Sequence, residues 1–182
     1  TVTGNTCYNN NNYGIYLSSS SDNNTVTGNT CNNNNYGIYL YSSSNNTITG
    51  NTCNNNEYGI RLGSSSDNNT VTGNTCNNNN SYGINLYKAS NNTVTGNTCY
   101  NNNNYGIYLN TSSNNTVTGN TCYNNNSYGI YLYSSSNNTV TGNTCNDNEY
   151  GIRLYSSSNN TVTGNTCIRG TGLTTDYTAS QH

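Results

Sequence analysis

A phrase of the form Asn-Thr-Val-Thr-Gly-Asn-Thr-Cys recurs along the chain and limits the folds open to it. Its cysteines return every 22 to 24 residues, at Cys7, Cys31, Cys53, Cys76, Cys99, Cys122, Cys145 and Cys167. A repeat of this length, rich in Asn, Gly, Thr and Ser, is too short to bury an apolar face alone. Successive copies must therefore stack into one continuous core.

The charge content argues against nucleic acid as a partner. The 182 residues carry 4 Lys and Arg against 6 Asp and Glu, whereas nucleic-acid binding relies on clustered cations that displace counterions. No apolar stretch approaches the roughly 18 residues needed to cross a bilayer, so we expect no membrane insertion. Regular Val, Ile and Leu positions in every repeat also distinguish the chain from a disordered Asn-rich tract.

Each repeat contains two short alternations of inward apolar and outward polar residues. In 25–27, Thr-Val-Thr places Val inward, and in 38–41, Ile-Tyr-Leu-Tyr places Ile and Leu inward. Cys31 marks a third, shorter strand, and Asn and Ser clusters form the corners. The sequence predicts an all-β parallel β-helix over residues 1–167, with about eight coils and three short strands per coil. Residues 168–182 leave the pattern and are predicted to form a C-terminal cap or linker.

Stacking assigns a structural role to the inward positions. The Val or Ile of the repeated phrase, the Ile of each Tyr-Gly-Ile and the Leu two residues later should each form an apolar column. The Asn of each Gly-Asn-Thr step, such as Asn29, is expected at a corner where its amide bonds the copies above and below. A buried asparagine ladder is therefore predicted.

The order of the repeat motifs resembles that of a known family. An Asn-x-Ile/Val-x-x-Asn-x-Cys phrase is followed by an Asn-rich stretch, then Tyr-Gly-Ile-Tyr-Leu, then Ser-Ser-x-Asn-Asn-Thr. This order resembles the NosD-like right-handed parallel β-helix repeats, especially those of archaeal and bacterial surface proteins. The resemblance implies a right-handed β-helix. The wider family includes proteins linked to periplasmic copper delivery, carbohydrate-active β-helices and large surface proteins, so it implies no single function.

The stacked cysteines are a candidate copper site only through that resemblance. Thiolate is a preferred ligand of Cu(I), but inward thiols have no entry path, and the chain contains no Met to assist them. Cysteine is also a small apolar residue that fills a core beside Val and Ile. We therefore expect a structural stack of free, buried thiols, with no metal and no cofactor.

Acidic residues are too few and too scattered to form a pair of catalytic carboxylates. Glycoside hydrolysis generally requires two positioned carboxyl groups. Glu57 with Arg61, and Glu149 with Arg153, instead have the spacing of surface ion pairs, which contribute little to stability. The sequence alone therefore predicts that the protein is not an enzyme.

Outward tyrosines form a candidate binding face. Aromatic rings stacked along a rod could dock sugar rings or a partner surface, although tyrosine also shields the outer face of a sheet. The candidate residues are Tyr36, Tyr39, Tyr58, Tyr82, Tyr105, Tyr108, Tyr128 and Tyr131.

Outward threonine pairs form a second candidate face. Stacking would place them on a grid of about 4.8 Å by 7 Å, which is similar to the ice-binding faces of insect antifreeze β-solenoids. Threonine is also an ordinary exposed strand residue. The candidate residues are Thr25, Thr27, Thr47, Thr49, Thr70, Thr72, Thr93, Thr95, Thr116, Thr118, Thr139, Thr141, Thr161 and Thr163.

Asn-x-Thr triplets favour an extracellular or cell-surface location. Such triplets accept N-linked glycans and lie in surface segments of secreted proteins. The candidate acceptors are Asn23, Asn45, Asn68, Asn91, Asn114, Asn137 and Asn159.

The function favoured by these patterns is a non-enzymatic extracellular structural protein. We expect it to belong to a cell-surface or filamentous assembly, with further copies of itself as partners or with glycans bound at its face rich in Tyr and Ser. Two alternatives stay open at this point. One is an ice-binding protein that uses the threonine array against an ice surface, and the other is a carbohydrate-binding β-helix.

Overall fold

Three parallel sheets run along a rod of about seven turns, as seen in a computed structural model that describes residues 1–169. No helix occurs among these residues. Each coil visits the three sheets in the same order, which confirms the predicted parallel β-helix with three strands per coil. Because no helix is present in the described part, none is long and apolar enough to span a membrane.

The first sheet, called the threonine sheet, contains eight strands. They are Val2–Thr3, Thr25–Thr27, Thr47–Thr49, Thr70–Thr72, Thr93–Thr95, Thr116–Thr118, Thr139–Thr141 and Thr161–Thr163. The second, called the cysteine sheet, is interrupted in the third coil, where Thr52 alone bridges its neighbours. Its strands are Thr6–Tyr8, Thr30–Asn32, Thr75–Asn77, Thr98–Tyr100, Thr121–Tyr123 and Thr144–Asn146.

The third sheet, called the tyrosine sheet, has the longest strands and forms the widest face of the rod. Its strands are Tyr13–Ser18, Tyr36–Tyr41, Tyr58–Leu62, Tyr82–Tyr87, Tyr105–Asn110, Tyr128–Tyr133 and Tyr150–Tyr155. The pairing register is exact from coil to coil, with Ile107 opposite Ile130 and Leu109 opposite Leu132. A slip of one residue would turn these apolar columns outward, so the repeat itself fixes the register.

The core consists of the columns that the sequence predicts. Val26, Cys31, Ile38 and Leu40 of one coil are all fully buried. Each packs on its equivalents in the coils above and below, and together they form one continuous apolar cluster. No coil could bury these side chains alone, because their partners belong to neighbouring coils.

Buried asparagines form three ladders, where the sequence predicted one. In the predicted ladder, the backbone N–H and the Nδ2 of Asn29 both donate to Oδ1 of Asn51, at 2.9 and 3.0 Å. The same pattern joins Asn34 to Asn56 at a second corner and Asn46 to Asn69 at a third. The additional ladders could not be read from the sequence, because their members stand beside exposed asparagines of identical type.

Two kinds of glycine make the corners and the packing possible. Gly28 has a φ of 63° and turns the chain between the threonine and cysteine sheets. Gly37 is needed for a different reason, since a Cβ there would lie 2.5 Å from the carbonyl oxygen of Gly59. The Tyr-Gly-Ile step therefore lets the coils approach closely.

The predicted division at residue 167 stays a prediction. The last described bridge joins Thr144 to Thr166, which agrees with the end of the repeat. The cap or linker predicted for 168–182 lies, apart from its first two residues, outside the described residues.

Candidate functional site

The outward side chains of the tyrosine sheet form the most distinctive surface of the rod, here called the tyrosine surface. Its first column is Tyr13, Tyr36, Tyr58, Tyr82, Tyr105, Tyr128 and Tyr150. Its second column is Tyr16, Tyr39, Arg61, Asn85, Tyr108, Tyr131 and Arg153. All eight tyrosines predicted as a candidate face lie in these two columns.

Neighbouring rings of the tyrosine surface are in contact along the rod. The ring centroids of Tyr36 and Tyr58 are 5.0 Å apart with nearly parallel planes, and those of Tyr82 and Tyr105 are 4.9 Å apart. The second column lies against the first, as in Tyr105 and Tyr108, whose centroids are separated by 5.1 Å. The coil spacing therefore arranges the rings as a continuous aromatic strip.

Packing within this strip raises the pKa values of several of its phenols. Burial raises the pKa of Tyr82 to about 12, and it also raises the pKa values of Tyr39, Tyr58, Tyr105 and Tyr131. A neutral phenol can both donate and accept a hydrogen bond. The strip thus offers ring faces together with uncharged hydroxyl groups.

Arg61 lies within a cage of tyrosine rings. Its guanidinium carbon is 5.1 Å from the ring centroid of Tyr58 and 5.3 Å from that of Tyr87, and the rings of Tyr36 and Tyr39 are each at 5.7 Å. Nη1 donates to the hydroxyl of Tyr36 at 3.4 Å, while the buried Nε has no hydrogen-bond partner. The cation is therefore held by ring faces, with unused donor capacity.

Arg153 repeats this arrangement four coils further along. Its guanidinium carbon is 5.2 Å from the ring centroid of Tyr128, and Nη1 donates to the Tyr128 hydroxyl at 2.6 Å. The rings of Tyr131 and Tyr150 lie at 5.9 and 5.8 Å. Two caged cations thus stand on one aromatic face.

Neither arginine forms the ion pair expected from its spacing to a glutamate. Among residues 1–169, no carboxylate lies within ion-pair distance of Arg61 or Arg153, and Glu57 instead accepts a hydrogen bond from the Ser81 hydroxyl. The interpretation of these residues as surface ion pairs is therefore wrong. The sequence did carry a signal, because both arginines replace a tyrosine of the second column.

Asn85 stands in place of a ring in the second column beside Arg61, while the first column continues past it. Asn85 is only 3 % exposed, and its Nδ2 donates to the backbone oxygen of Tyr108 at 3.2 Å. The ring of Tyr39 covers Gly63, since a Cβ there would lie 2.7 Å from the Tyr39 hydroxyl. The two arginine cages therefore have different surroundings despite their common repeat position.

The threonine pairs lie together on the threonine sheet. The partners are in register, with Thr93 opposite Thr116 and Thr95 opposite Thr118. Part of the hydroxyl capacity is used within the sheet, since Thr118 Oγ1 donates to the backbone oxygen of Thr141 at 2.9 Å. This face has ordered hydroxyl and methyl groups but carries no charge and no aromatic ring.

The cysteines form a column along the core side of the cysteine sheet. Those from Cys31 to Cys145 are buried, Cys7 is half-buried, Cys167 is exposed, and all are free thiols. Burial raises the pKa of the Cys76 thiol well above its usual value. Hydrogen bonds from neighbouring thiols instead lower the pKa values of Cys53 and Cys99. The column therefore consists of small, mostly buried side chains that pack in the core and also hydrogen-bond one another.

Comparison with known proteins identifies the family. The fold and this face define a parallel β-helix with a long aromatic surface that carries two cations. The chain belongs to the NosD family, whose model is described as a periplasmic copper-binding protein and matches residues 1–81 and 54–178. A search of curated proteins found no significant match.

Solved structures with the same fold include several enzymes. A double mutant of the periplasmic alginate epimerase AlgG matches with a TM-score of 0.86 and 24% identity over 91% of this chain and 44% of that chain. The A-module of mannuronan C-5 epimerase AlgE6 from Azotobacter vinelandii matches with a TM-score of 0.78 and 15% identity, over 98% and 58% of the two chains. The Dettilon tailspike protein matches with a TM-score of 0.77 and 22% identity, over 86% and 37%. The chain thus spans less than half of the AlgG structure that it matches.

The residues of the rod do not fit the copper ion of the family description. No group of three or more His, Cys, Asp or Glu side chains in residues 1–169 has a geometry that could hold a metal ion. The central thiols are fully enclosed by apolar columns, so a copper ion would have to enter a packed core. We therefore derive no chemistry through copper.

The expectation of a non-enzymatic structural protein is wrong. That expectation assigned every repeated residue a structural role only, but the fold is that of alginate and mannuronan epimerases. The prediction that the protein is not an enzyme fails for the same reason. Ice binding and self-assembly find no support among these proteins, whereas glycan contact agrees with them in general terms.

Proposed function

We propose that this chain is the glycan-binding β-helix of a carbohydrate-acting enzyme, with the tyrosine surface as its binding site. The observation that carries this proposal is the continuous aromatic strip with two arginines that have no carboxylate partner in the described residues. We also place the protein on the extracytoplasmic side of the cell, because the family model describes a periplasmic protein and AlgG is periplasmic.

The strip suits an extended polysaccharide more than a compact ligand. Its rings recur at the coil spacing of about 4.8 Å, so sugar rings can lie along the rod and contact several coils at once. The neutral phenols supply donors and acceptors to sugar hydroxyl groups. A long, shallow face of this kind gains affinity from many weak contacts.

The two arginines favour a glycan that carries acidic groups. A guanidinium forms two parallel hydrogen bonds to a carboxylate, and the caged geometry fixes its plane in advance. The hydrogen bond from Nη1 to Tyr36 leaves other donors of the Arg61 guanidinium unused within the described rod. A uronate polymer such as alginate or mannuronan therefore fits this surface.

The chemistry available at Arg153 is charge neutralisation together with proton transfer. Arg153 Nη1 donates to the Tyr128 hydroxyl at 2.6 Å, so the phenol directs its own proton toward a bound sugar. The guanidinium would neutralise the substrate carboxylate, which makes the adjacent C–H more acidic. Tyr128 is our candidate donor of the proton that enters, which goes to C-5 in an inversion or to the departing glycosidic oxygen in an elimination. Water takes the proton that leaves C-5 and later reprotonates Tyr128.

A binding experiment tests the site. Calorimetric titration with mannuronate oligosaccharides should give saturable binding that weakens with added salt, whereas neutral mannose oligosaccharides of equal length should bind less tightly. Replacing both cations, as Arg61→Gln with Arg153→Gln, should weaken acidic-glycan binding at least about tenfold. Lys88→Asn removes one positive charge that lies outside both columns of the tyrosine surface, against the Tyr87 ring, and should have a much smaller effect. Equal affinity for neutral and acidic glycans would contradict the proposed site.

An activity experiment tests the enzymatic part of the proposal. Time-resolved NMR of a mannuronate oligomer with the protein should show inversion at C-5 or the appearance of unsaturated sugar ends. Tyr128→Phe should abolish this turnover while binding persists. Binding without any turnover in the unaltered protein would restrict the function to glycan recognition and refute the enzymatic proposal.

A further inference from the structure

The chain contains ten Asn-x-Ser/Thr triplets, and the fold divides them into two groups. Seven begin at the corner between the tyrosine and threonine sheets, and the other three begin at Asn79, Asn110 and Asn125. Sequence alone does not distinguish the groups, because all ten satisfy the acceptor rule for N-linked glycans. Their surroundings in the rod differ sharply.

The seven corner asparagines stand in a single exposed column. Their φ angles lie between 57° and 60°, which is the left-handed turn conformation that asparagine tolerates. All are solvent exposed, and in the part of the chain that the structure describes their side-chain amides make no hydrogen bond. The members of this corner column are Asn23, Asn45, Asn68, Asn91, Asn114, Asn137 and Asn159.

The other three triplets are blocked by the packing of the rod. Asn79 is fully buried, and its Nδ2 donates to the backbone oxygen of Cys53 at 3.2 Å and to Oδ1 of Asn102 at 2.9 Å. Asn125 has the same environment at the same corner, two coils further along the rod. In the triplet of Asn110 the required hydroxyl belongs to Ser112, which is fully buried and donates to the backbone oxygen of Asn110.

We propose that the corner column is the N-glycosylation surface of this protein and that the folded rod carries no glycan on the three blocked triplets. A glycan on a corner asparagine breaks no hydrogen bond of the described rod. A glycan on Asn79 or Asn125 would break two buried bonds and force a sugar into the core, which is incompatible with stacked coils.

The modification is a group transfer from an activated sugar. The donor is an oligosaccharide linked through phosphate to a membrane lipid. The amide nitrogen of the asparagine forms a bond to C1 of the first sugar, the bond between C1 and the phosphate oxygen breaks, and the lipid phosphate leaves. The amide loses one proton, so the transfer needs no oxidant or reductant.

The structure also constrains when the transfer occurs and how many sites are occupied. The middle residue of each corner triplet, such as Asn92, is fixed in a buried ladder. The enzyme therefore meets the triplet before the coil closes, and the folded coil then retains the product. Successive acceptors are only about 4.8 Å apart, so glycans on adjacent coils crowd one another and each site should be partly occupied.

Peptide mapping of the protein purified from its own cells tests the proposal. Enzymatic glycan removal in heavy-oxygen water should label corner asparagines, and mass spectrometry should find Asn79, Asn110 and Asn125 unlabelled in the folded, protease-resistant fraction. Absence of label at all seven corner positions would overturn the proposal. Label at Asn79 or Asn125 in that fraction would overturn it as well.

A matched pair of variants distinguishes acceptor recognition from folding. In a host that attaches N-linked glycans during secretion, Thr93→Val should remove the glycan from Asn91, because the acceptor hydroxyl is lost. Thr95→Val changes the other outward threonine of the same strand and should leave the Asn91 glycan unchanged. Both variants keep a β-branched strand residue, so both should fold. The proposal would be refuted if Thr93→Val retained the Asn91 glycan, or if both variants lost that glycan equally.

Discussion

Buried asparagine is the residue on which this fold depends most directly. Asn102 shows the reason, because its backbone N–H and its Nδ2 both donate to Oδ1 of Asn125, at 3.1 and 2.9 Å. Its own Oδ1 accepts the equivalent pair of bonds from Asn79. One side chain therefore satisfies buried backbone groups in two coils, which no apolar residue of similar size could do.

Removal of one ladder amide should destabilise the whole rod. Asn102→Ala deprives Asn79 of its acceptor and should lower the free energy of unfolding by about 3 kcal/mol, since each unsatisfied buried group costs about 1–3 kcal/mol. Asn103→Ala is the matched control, because that side chain is adjacent but exposed. Denaturant unfolding measures the free energy of unfolding of both variants. A similar loss in the two variants would contradict the structural role of the ladder.

At the scale of the strand, the Tyr-Gly-Ile step combines packing and exposure in three residues. Gly106 carries no Cβ because the next coil occupies that space, and the flanking Tyr105 and Ile107 point outward and inward. The sequence predicted the apolar columns and the outward tyrosines, because both follow from the strand period. It could not predict the caging of Arg61, because that cage takes four rings from three different coils.

Two glycines of one repeat should respond differently to the same substitution. A Cβ at Gly106 would lie 2.7 Å from the backbone oxygen of Gly129, so Gly106→Ala must push two coils apart. Gly96 has nothing within 4 Å, and Gly96→Ala costs only the strain of its φ of 62°, about 1–2 kcal/mol. Thermal unfolding should therefore show a larger loss for Gly106→Ala. Equal losses would mean that close coil contact does not require this glycine.

The tyrosine sheet should make stability fall in alkaline solution. Burial raises the pKa of Tyr82 from 10.0 to about 12, so the folded state favours the neutral phenol. This contribution is complete below about pH 10 and is lost as the pH rises through 12. Denaturant midpoints between pH 9 and 12 should decline less steeply in Tyr82→Phe. Identical pH dependence in the two proteins would show that ionisation of Tyr82 does not contribute to the alkaline loss of stability.

For the whole molecule, stability is distributed along the rod because each coil contacts only its neighbours. The repeat length could be read from the cysteines, and this was sufficient to predict the architecture. The function could not be read in the same way. Repeat positions such as Val94 are explained by stacking, whereas the proposed binding surface depends on departures from the repeat, such as Arg61 and Arg153.

Deletion of one complete coil should leave a folded rod. Removing residues 93–115 joins Asn92 to Thr116, so the ladder asparagine and the threonine strand keep their order. With one of about seven turns lost, the denaturant m-value should fall by about one seventh. Removing 93–104 instead joins Asn92 to Tyr105 and should prevent folding, as circular dichroism would show. Loss of structure in the complete-coil deletion would contradict independent stacking.

The ladders also give the rod a dipole along its axis, although its net charge is small. In every ladder the donors of one coil face Oδ1 of the following coil, as from Asn74 to Asn97 and from Asn97 to Asn120. The side-chain amide dipoles therefore align head to tail and polarise one another along the axis. A cut through any coil would expose acceptors on one side and donors on the other. Two such rods could continue one another only in the same direction.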